Sequence, residues 1–461
     1  MAEIQYNFDE KYIFSSTAKK RLAVVGLIGI IITIIGIILI VNSGSGQETG
    51  EHALRSTNTE ASSLLASSDP GAFVAGMSEE PKEGESHGSP IWLKRLYVSL
   101  WQNNIFFTGL ALIGVFFLAI QYAAQAGWSA GFKRVPEAMG YWLPIAGIIA
   151  VVLFFFAGKD IFHWTHTELY IIGGEHFDPI INAKKGFFFW PADEHPNFPV
   201  FWFARMIIFF SVWYWFFLQI RKWSLIEDIE GGSTPYFKMR SLSAIFLVVF
   251  AVTSSVAAWD WVMSIDTHWF SSMFGWYVFA SWWVAGLALI TLMVVDLKEK
   301  GLLSVVNANH LHDLGKFVFG FSIFWMYIWF SQFLLIYYAN IPEESIYFIE
   351  RISTHYKTVY YINLILNFLF PFLLFMTRES KRHRIFLKIV AIIVLVGHWF
   401  DFYLMITPGT MQLDGGFGFI EIGVTMIFIA MFLYVVFTNL AKVPLIAKNH
   451  PLLEESLHHD I

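Results

Sequence analysis

Leu22-Ala-Val-Val-Gly-Leu-Ile-Gly-Ile-Ile-Ile-Thr-Ile-Ile-Gly-Ile-Ile-Leu-Ile-Val41 runs for twenty residues without a charge. At about 1.5 Å per helical residue it reaches about 30 Å, the thickness of bilayer hydrocarbon, and reads as a membrane span. The 21 residues before it contain Lys11, Lys19, Lys20 and Arg21, with no small-residue cleavage site, so it reads as an anchor and not a removed signal peptide. Nine more stretches pass the same test, near 105–125, 138–158, 198–220, 241–265, 271–295, 317–339, 359–377, 386–407 and 418–440. The sequence predicts an all-α polytopic membrane protein of ten spans.

Composition agrees. Of the 461 residues 56% are apolar and only 14% charged, against about 25% charged in soluble domains. The net charge of −6 excludes the basic footprint of a nucleic-acid binder. With no cysteine, the chain ligates no iron–sulfur cluster and no thiolate zinc. A bis-histidine haem needs facing histidines at depth, and only His398 falls deep within a span.

Basic residues set orientation. With ten spans both termini share a side, and that side collects twenty Lys and Arg against nine on the other, Arg205 lying within a span. Both termini are therefore expected in the cytoplasm, and 42–90, with eight acids against two bases, on the opposite, periplasmic side. The resulting plan is a cytoplasmic segment 1–21, a first span 22–41, and an acidic loop with an interfacial helix over 42–104. Two groups of four spans follow, 105–265 and 266–407, then a last span 408–440 and a cytoplasmic tail 441–461. The interfacial helix is read from Ile91 to Trp101, where apolar and basic residues mix at helical spacing. The 159–197 connection is too aromatic for a free linker and is expected to pack on the membrane domain or a partner.

Ionisable residues at membrane depth are expensive and line bundle interiors or cavities. Here they are Arg205, Asp260, His398, Asp401 and Glu421, with Asp160, His163, His166, Glu168, Asp266 and His268 at the outer mouth. All five deep residues fall at mid-depth or in the outer half, leaving the inner half almost without ionisable groups. Each has a plainer reading: Arg205 and Glu421 can snorkel or pair, and His398 with Asp401, three apart on one helix face, can be a structural hydrogen-bonded pair. Asp260, between Trp259 and Trp261, is favoured as functional. His163 and His166 share the spacing of a metal pair, but their loop context is unspecific, and no metal is expected. Trp259-Asp260-Trp261 and Phe400-Asp401-Phe402 echo one another four spans apart, as a parallel repeat would.

Three stretches are distinctive: Ala258-Trp-Asp-Trp-Val-Met-Ser-Ile-Asp-Thr-His-Trp-Phe270, the polar-punctuated run from Phe324 to Glu344, and Gly397-His-Trp-Phe-Asp-Phe-Tyr-Leu-Met-Ile-Thr-Pro408. From about residue 90 to the end of the tenth span the chain resembles the NrfD-like (polysulfide-reductase-type) membrane subunits, most of all those of bacterial alternative complex III. The resemblance implies two four-helix bundles, spans 2–5 and 6–9, flanked by spans 1 and 10, in the bacterial inner membrane. It implies a quinol:cytochrome c or quinol:oxidase oxidoreductase whose haem c and iron–sulfur clusters sit on partner subunits, with quinol or menaquinol as substrate. The partners it implies are a second NrfD-like subunit, an iron–sulfur protein, c-type cytochromes, a terminal cytochrome oxidase and lipids. It points to Asp260, His398 and Asp401 as proton or quinol ligands, with Asp266, His268, Ser331, Gln332 and Tyr337 nearby. Two rival readings stay open: a proton-coupled secondary transporter, against which no broken helix is obvious around Pro144 or Pro371, and a ligand-free scaffold.

Overall fold

The computed structural model describes residues 7–47, 89–194, 196–353 and 355–460; the acidic 42–90 loop falls largely outside them. Among the described residues ten helices are long and apolar enough to cross a membrane. They are α1 (Ser16–Gln47), α2 (Ile91–Ala123), α3 (Arg134–Ile161), α4 (Val200–Glu230) and α5 (Ser233–Ile265). The second five are α6 (Phe274–Glu299), α7 (Ala308–Ala339), α8 (Lys357–Leu374), α9 (Arg384–Met411) and α10 (Phe419–Leu440). Short connections make sequence neighbours antiparallel. One end of the molecule therefore carries both chain termini, here the terminal end, and the other carries the 162–199 connection, here the distal end.

Several helices outrun their apolar cores. The largest difference is at α2, where the expected interfacial helix Ile91–Trp101 is the first third of one continuous 33-residue helix. Its charge does not hold it at the surface, because Arg95 forms a bidentate pair with Glu421 of α10 at 2.6 and 2.8 Å. From Val98 on, α2 is almost wholly enclosed, with Gln102, Asn103 and Asn104 fully buried. It packs on α3, α5, α6, α9 and α10. Close approach requires small residues: a Cβ on Gly109 would lie 1.8 Å from the Trp282 ring of α6.

Packing pairs run α2–α3–α4–α5 and back to α2, then α6–α7–α8–α9 and back to α6. Outside them, α10 lies on α2, and α1 lies on α10. The α1–α10 crossing is made by glycine: a Cβ on Gly29 would sit 2.7 Å from the carbonyl oxygen of Gly423. This is the small-residue contact by which lipid-bathed helices associate through van der Waals packing. Most of α1's remaining surface is exposed isoleucine and leucine, as a lipid-facing helix requires.

The eighth span is continuous, as expected, but carries a π-helical turn, Ile365–Leu369, just before Pro371. Gly397 of α9 makes room for it, a Cβ there falling 2.2 Å from Asn367 Oδ1.

The chain ends are tied into the terminal end. Lys11 and Pro444 form an isolated antiparallel bridge, and the Leu445 N–H donates to the Glu10 carbonyl at 2.8 Å. Glu10 Oε2 accepts from the Leu303 N–H at 2.8 Å. The Ser456 hydroxyl accepts from Gly131 N–H at 3.2 Å and donates to the Trp128 carbonyl at 3.0 Å.

Candidate functional site

The two aromatic–Asp–aromatic segments bring their carboxylates to full burial in the distal half, one in each set of helices. Asp260, at the end of α5, meets Arg205 of α4 in a fork, Nε to Oδ2 and Nη2 to Oδ1, both 2.7 Å. The guanidinium is sandwiched between the Phe187 and Phe201 rings, each centroid 4.3 Å from Cζ. Trp202 Nε1 and the Ser264 hydroxyl both donate to the Asp260 carbonyl, at 2.9 and 2.6 Å. The two residues for which snorkelling was an alternative, Arg205 and Glu421, are thus both paired inside the protein.

Asp401 has no such counter-ion. Tyr277 of α6 donates its hydroxyl to Oδ1, Asn363 Nδ2 donates to the same oxygen at 3.0 Å, and Trp325 Nε1 donates to Oδ2 at 2.9 Å. Among the described residues no Lys or Arg reaches it. His398 lies one turn away with Nδ1 3.8 Å from Oδ2 and 3.0 Å from the Ser281 hydroxyl. Its Nε2 is buried without a partner. Asn367, in the π turn, donates to Asn363 Oδ1 at 2.6 Å, so the eighth span supplies this cluster with its amides.

Beside the cluster is a cavity of about 10 Å³, lined by Tyr277, Gln332, Arg351, Tyr360 and Asn363 among others, which is room for about one water. Gln332 Nε2 is buried there without a partner. On its far side Arg351, from the short helix Pro342–Ser353, donates to Asp266 Oδ2 at 2.9 Å and to the Leu404 and Tyr347 carbonyls, both at 2.8 Å. Burial pushes the Asp266 carboxyl above its ordinary value, with Arg351 pulling the other way. Of the other span-seven candidates, Ser331 is half-buried and Tyr337 is 71% exposed, and neither joins the cluster.

The outer-mouth candidates divide. His268 Nε2 meets Asp178 Oδ2 at 2.5 Å, and Asp178 also caps the helix Pro179–Ala183. Asp160, His163 and His166 line a 760 Å³ pocket at the distal end with Lys94, Lys159 and Asp414. Glu168 is exposed and lies outside that lining. Among the described residues no group of three or more His, Cys, Asp or Glu is placed to hold a metal.

A second cavity, 420 Å³, opens between α9 and α10 with α2 and α6 as its floor. Its walls, including Phe106, Leu292, Trp399, Phe400, Ile429 and Phe432, are hydrocarbon, and the one hydroxyl, Thr425, is committed to the Glu421 carbonyl at 2.7 Å. The cleft suits a hydrocarbon chain.

At the terminal end the helix ends enclose a cluster of buried charges. Lys133 binds Glu227 and donates to the Tyr122 hydroxyl at 2.8 Å. Arg134 binds Glu137 at 2.6 Å, Ser224 Oγ at 2.8 Å and Asp228. Arg221 binds Glu137 at 2.7 Å. Three cations face three carboxylates, all but Asp228 buried. Burial lowers the Lys133 ammonium, and the nearby His450 imidazole is pushed down to about 2 by burial and by the charges of Lys133 and Arg134. Counted by sign alone, Lys133, Arg134 and Arg221 look like loop charges. The signal was the matching acids, with Glu137 three residues after Arg134 and Glu227-Asp228 about two turns after Arg221.

No protein-family model matches the chain, and no curated protein matches it. The chemistry of the site therefore rests on its own geometry.

Proposed function

We propose that this multi-pass membrane protein is a metal-free subunit of a quinol-oxidising respiratory complex of the bacterial inner membrane, and that Asp401 with His398 handles its protons. The observation that carries the reading is a buried carboxylate held by neutral donors only, beside a buried imidazole with one nitrogen unpartnered. A carboxylate without a counter-ion can take and release a proton with no fixed charge to abandon, and ionisable groups inside membranes line such paths. Quinol oxidation releases two protons with two electrons, so a protonatable group belongs within reach of the substrate. The single-water cavity supplies a step from the Asp401 donors toward Arg351 and Asp266. Asp260, already forked to Arg205, serves the fold.

In this reading both termini are cytoplasmic and protons leave at the distal, periplasmic end. Haem c and iron–sulfur clusters belong to partner subunits, namely an iron–sulfur protein, c-type cytochromes, a second NrfD-like subunit and a terminal oxidase.

The test is Asp401→Asn in the purified native complex. Quinol:cytochrome c turnover is expected to fall at least tenfold while subunit composition and reduced haem spectrum stay unchanged. Unchanged turnover and unchanged proton release in proteoliposomes would reduce the cluster to scaffolding. The alternative is a proton-coupled secondary transporter. A solitary, haem-free protein that moves protons with a solute would select it.

A further inference from the structure

A cavity of 450 Å³ opens at the terminal end where three spans stop. Lys298 comes from the last turn of α6, Asn307, Ala308 and Leu311 from the start of α7, and Arg384 is the first residue of α9. Arg382 and Ser304 complete the polar lining. The size is that of a ligand site, and the chemistry is one-sided: three cations and, among the described residues, no carboxylate in the wall.

The commitments of these groups are incomplete. Lys298 Nζ donates to the Leu303 carbonyl at 3.1 Å, and Arg382 Nη2 donates to Asn309 Oδ1 at 2.7 Å, both neutral acceptors. Arg382 Nε and Ser304 Oγ are buried without partners. Among the described residues no carboxylate lies within ion-pair distance of Lys298, Arg382 or Arg384. The nearest acid to act on Lys298 is Glu10, whose Oε2 accepts from the Leu303 and Ser304 N–H groups at 2.8 and 3.4 Å. Lys298 and Arg384 repel one another across the space. The opening of α7 adds the positive end of a 32-residue helix, although the Asn307 side chain already accepts two of its N–H groups. At the same end Lys133, Arg134 and Arg221 are each paired with an acid, whereas among the described residues Lys298, Arg382 and Arg384 are not.

We infer that this cavity binds a phosphate-bearing anion, with Arg382, Arg384 and Lys298 as its cationic ligands and the Arg382 Nε and Ser304 hydroxyl as directed donors. Arginine suits a phosphate because its fork presents parallel N–H groups. A basic pocket at the ends of membrane helices can draw its phosphate from the headgroup of an anionic lipid or from solution.

The test uses the full chain, purified in a neutral detergent and then exchanged into nanodiscs. Retention of phosphatidylglycerol or cardiolipin is measured against phosphatidylcholine by native mass spectrometry, and inorganic phosphate is titrated separately while thermal unfolding is followed. The comparison protein is Arg382→Gln/Arg384→Gln. Arg384→Gln alone, at an exposed position without an ion pair, keeps the experiment readable should the double variant unfold. An anionic-lipid preference of about tenfold or more that the variants abolish establishes the site with a lipid headgroup. Stabilisation by inorganic phosphate, absent from the variants and without lipid preference, establishes it with a soluble ligand. No preference and no phosphate response, or responses that Arg384→Gln and the double variant leave unchanged, would overturn it.

Discussion

Asp260 and Asp401 stand in the same three-residue setting, four spans apart, and meet opposite chemistry. Around Asp260 a guanidinium forks onto both oxygens and two phenyl rings close over it. Around Asp401 a phenol, an indole and a carboxamide share the same two oxygens. Local sequence places a carboxylate at a depth, and what that carboxylate does depends on residues far away in the chain. Arg205 is 55 positions from Asp260, and Tyr277 is 124 positions from Asp401. If the chain arose by duplication of a four-span unit, the two halves have divided a structural tie from a protonatable site.

The comparison breaks first at Arg205. Arg205→Leu strands the Asp260 carboxylate and is expected to lower stability by about 3–5 kcal/mol, whereas Arg205→Leu combined with Asp260→Leu restores most of the loss. Denaturant unfolding of the purified protein in detergent reads both, and equal losses would mean that the pair is not a unit. At the other carboxylate Asp401→Asn removes no opposite charge and keeps an acceptor oxygen. Its stability loss is expected to be about 1–2 kcal/mol, while its effect on turnover is the larger one. Should Asp401→Asn destabilise as much as Arg205→Leu, the distinction between tie and site collapses. Tyr277→Phe sharpens the same point with a loss of about 1 kcal/mol, read by the same unfolding curve.

The smallest expected effect lies outside the spans, at Asp178. Burial pushes its carboxyl up, but the Ile181 and Ile180 N–H groups and His268 outweigh that and hold it below its ordinary 3.8. A depressed value in the folded protein means that the contribution is present above pH 3.8 and is lost as pH falls through the folded value. Asp178→Asn should therefore lower stability near neutral pH by less than about 1 kcal/mol, with the two proteins converging at acid pH. A difference that persists below pH 3 would assign the effect to packing.

The spans were legible because hydrophobic length is a local property. Leu22–Val41 needs no partner to be read, and the same holds for the other nine runs. The candidate residues at depth were legible for the same reason, since Asp260, His398 and Asp401 stand out against apolar neighbours. Their roles were not, because pairing is decided in three dimensions. Glu421 could not be matched to Arg95 across 326 residues, nor could Ile91–Trp101 be known as the start of α2 without that match. The burial of the terminal-end charges was not legible, because a count by sign treats Lys133 and Arg221 as solvated, although Glu227 and Glu137 pair with them inside the protein. Asn363 and Asn367 carried no charge to draw notice, yet Asn363 donates to Asp401 and Asn367, from the π turn, donates to Asn363.

The stitching of both chain ends into one face has a consequence for biosynthesis. Residues around Trp128 and Gly131 receive their partner, Ser456, only after all ten spans have been made, 325 positions after Gly131. Until then the terminal end stands open, with the Glu10 carbonyl still waiting for Leu445. The terminal end is therefore closed only after the tenth span has been made. Removing residues 442–461 would leave all ten helices and take away Leu445 and Ser456, the partners of Glu10, Gly131 and Trp128.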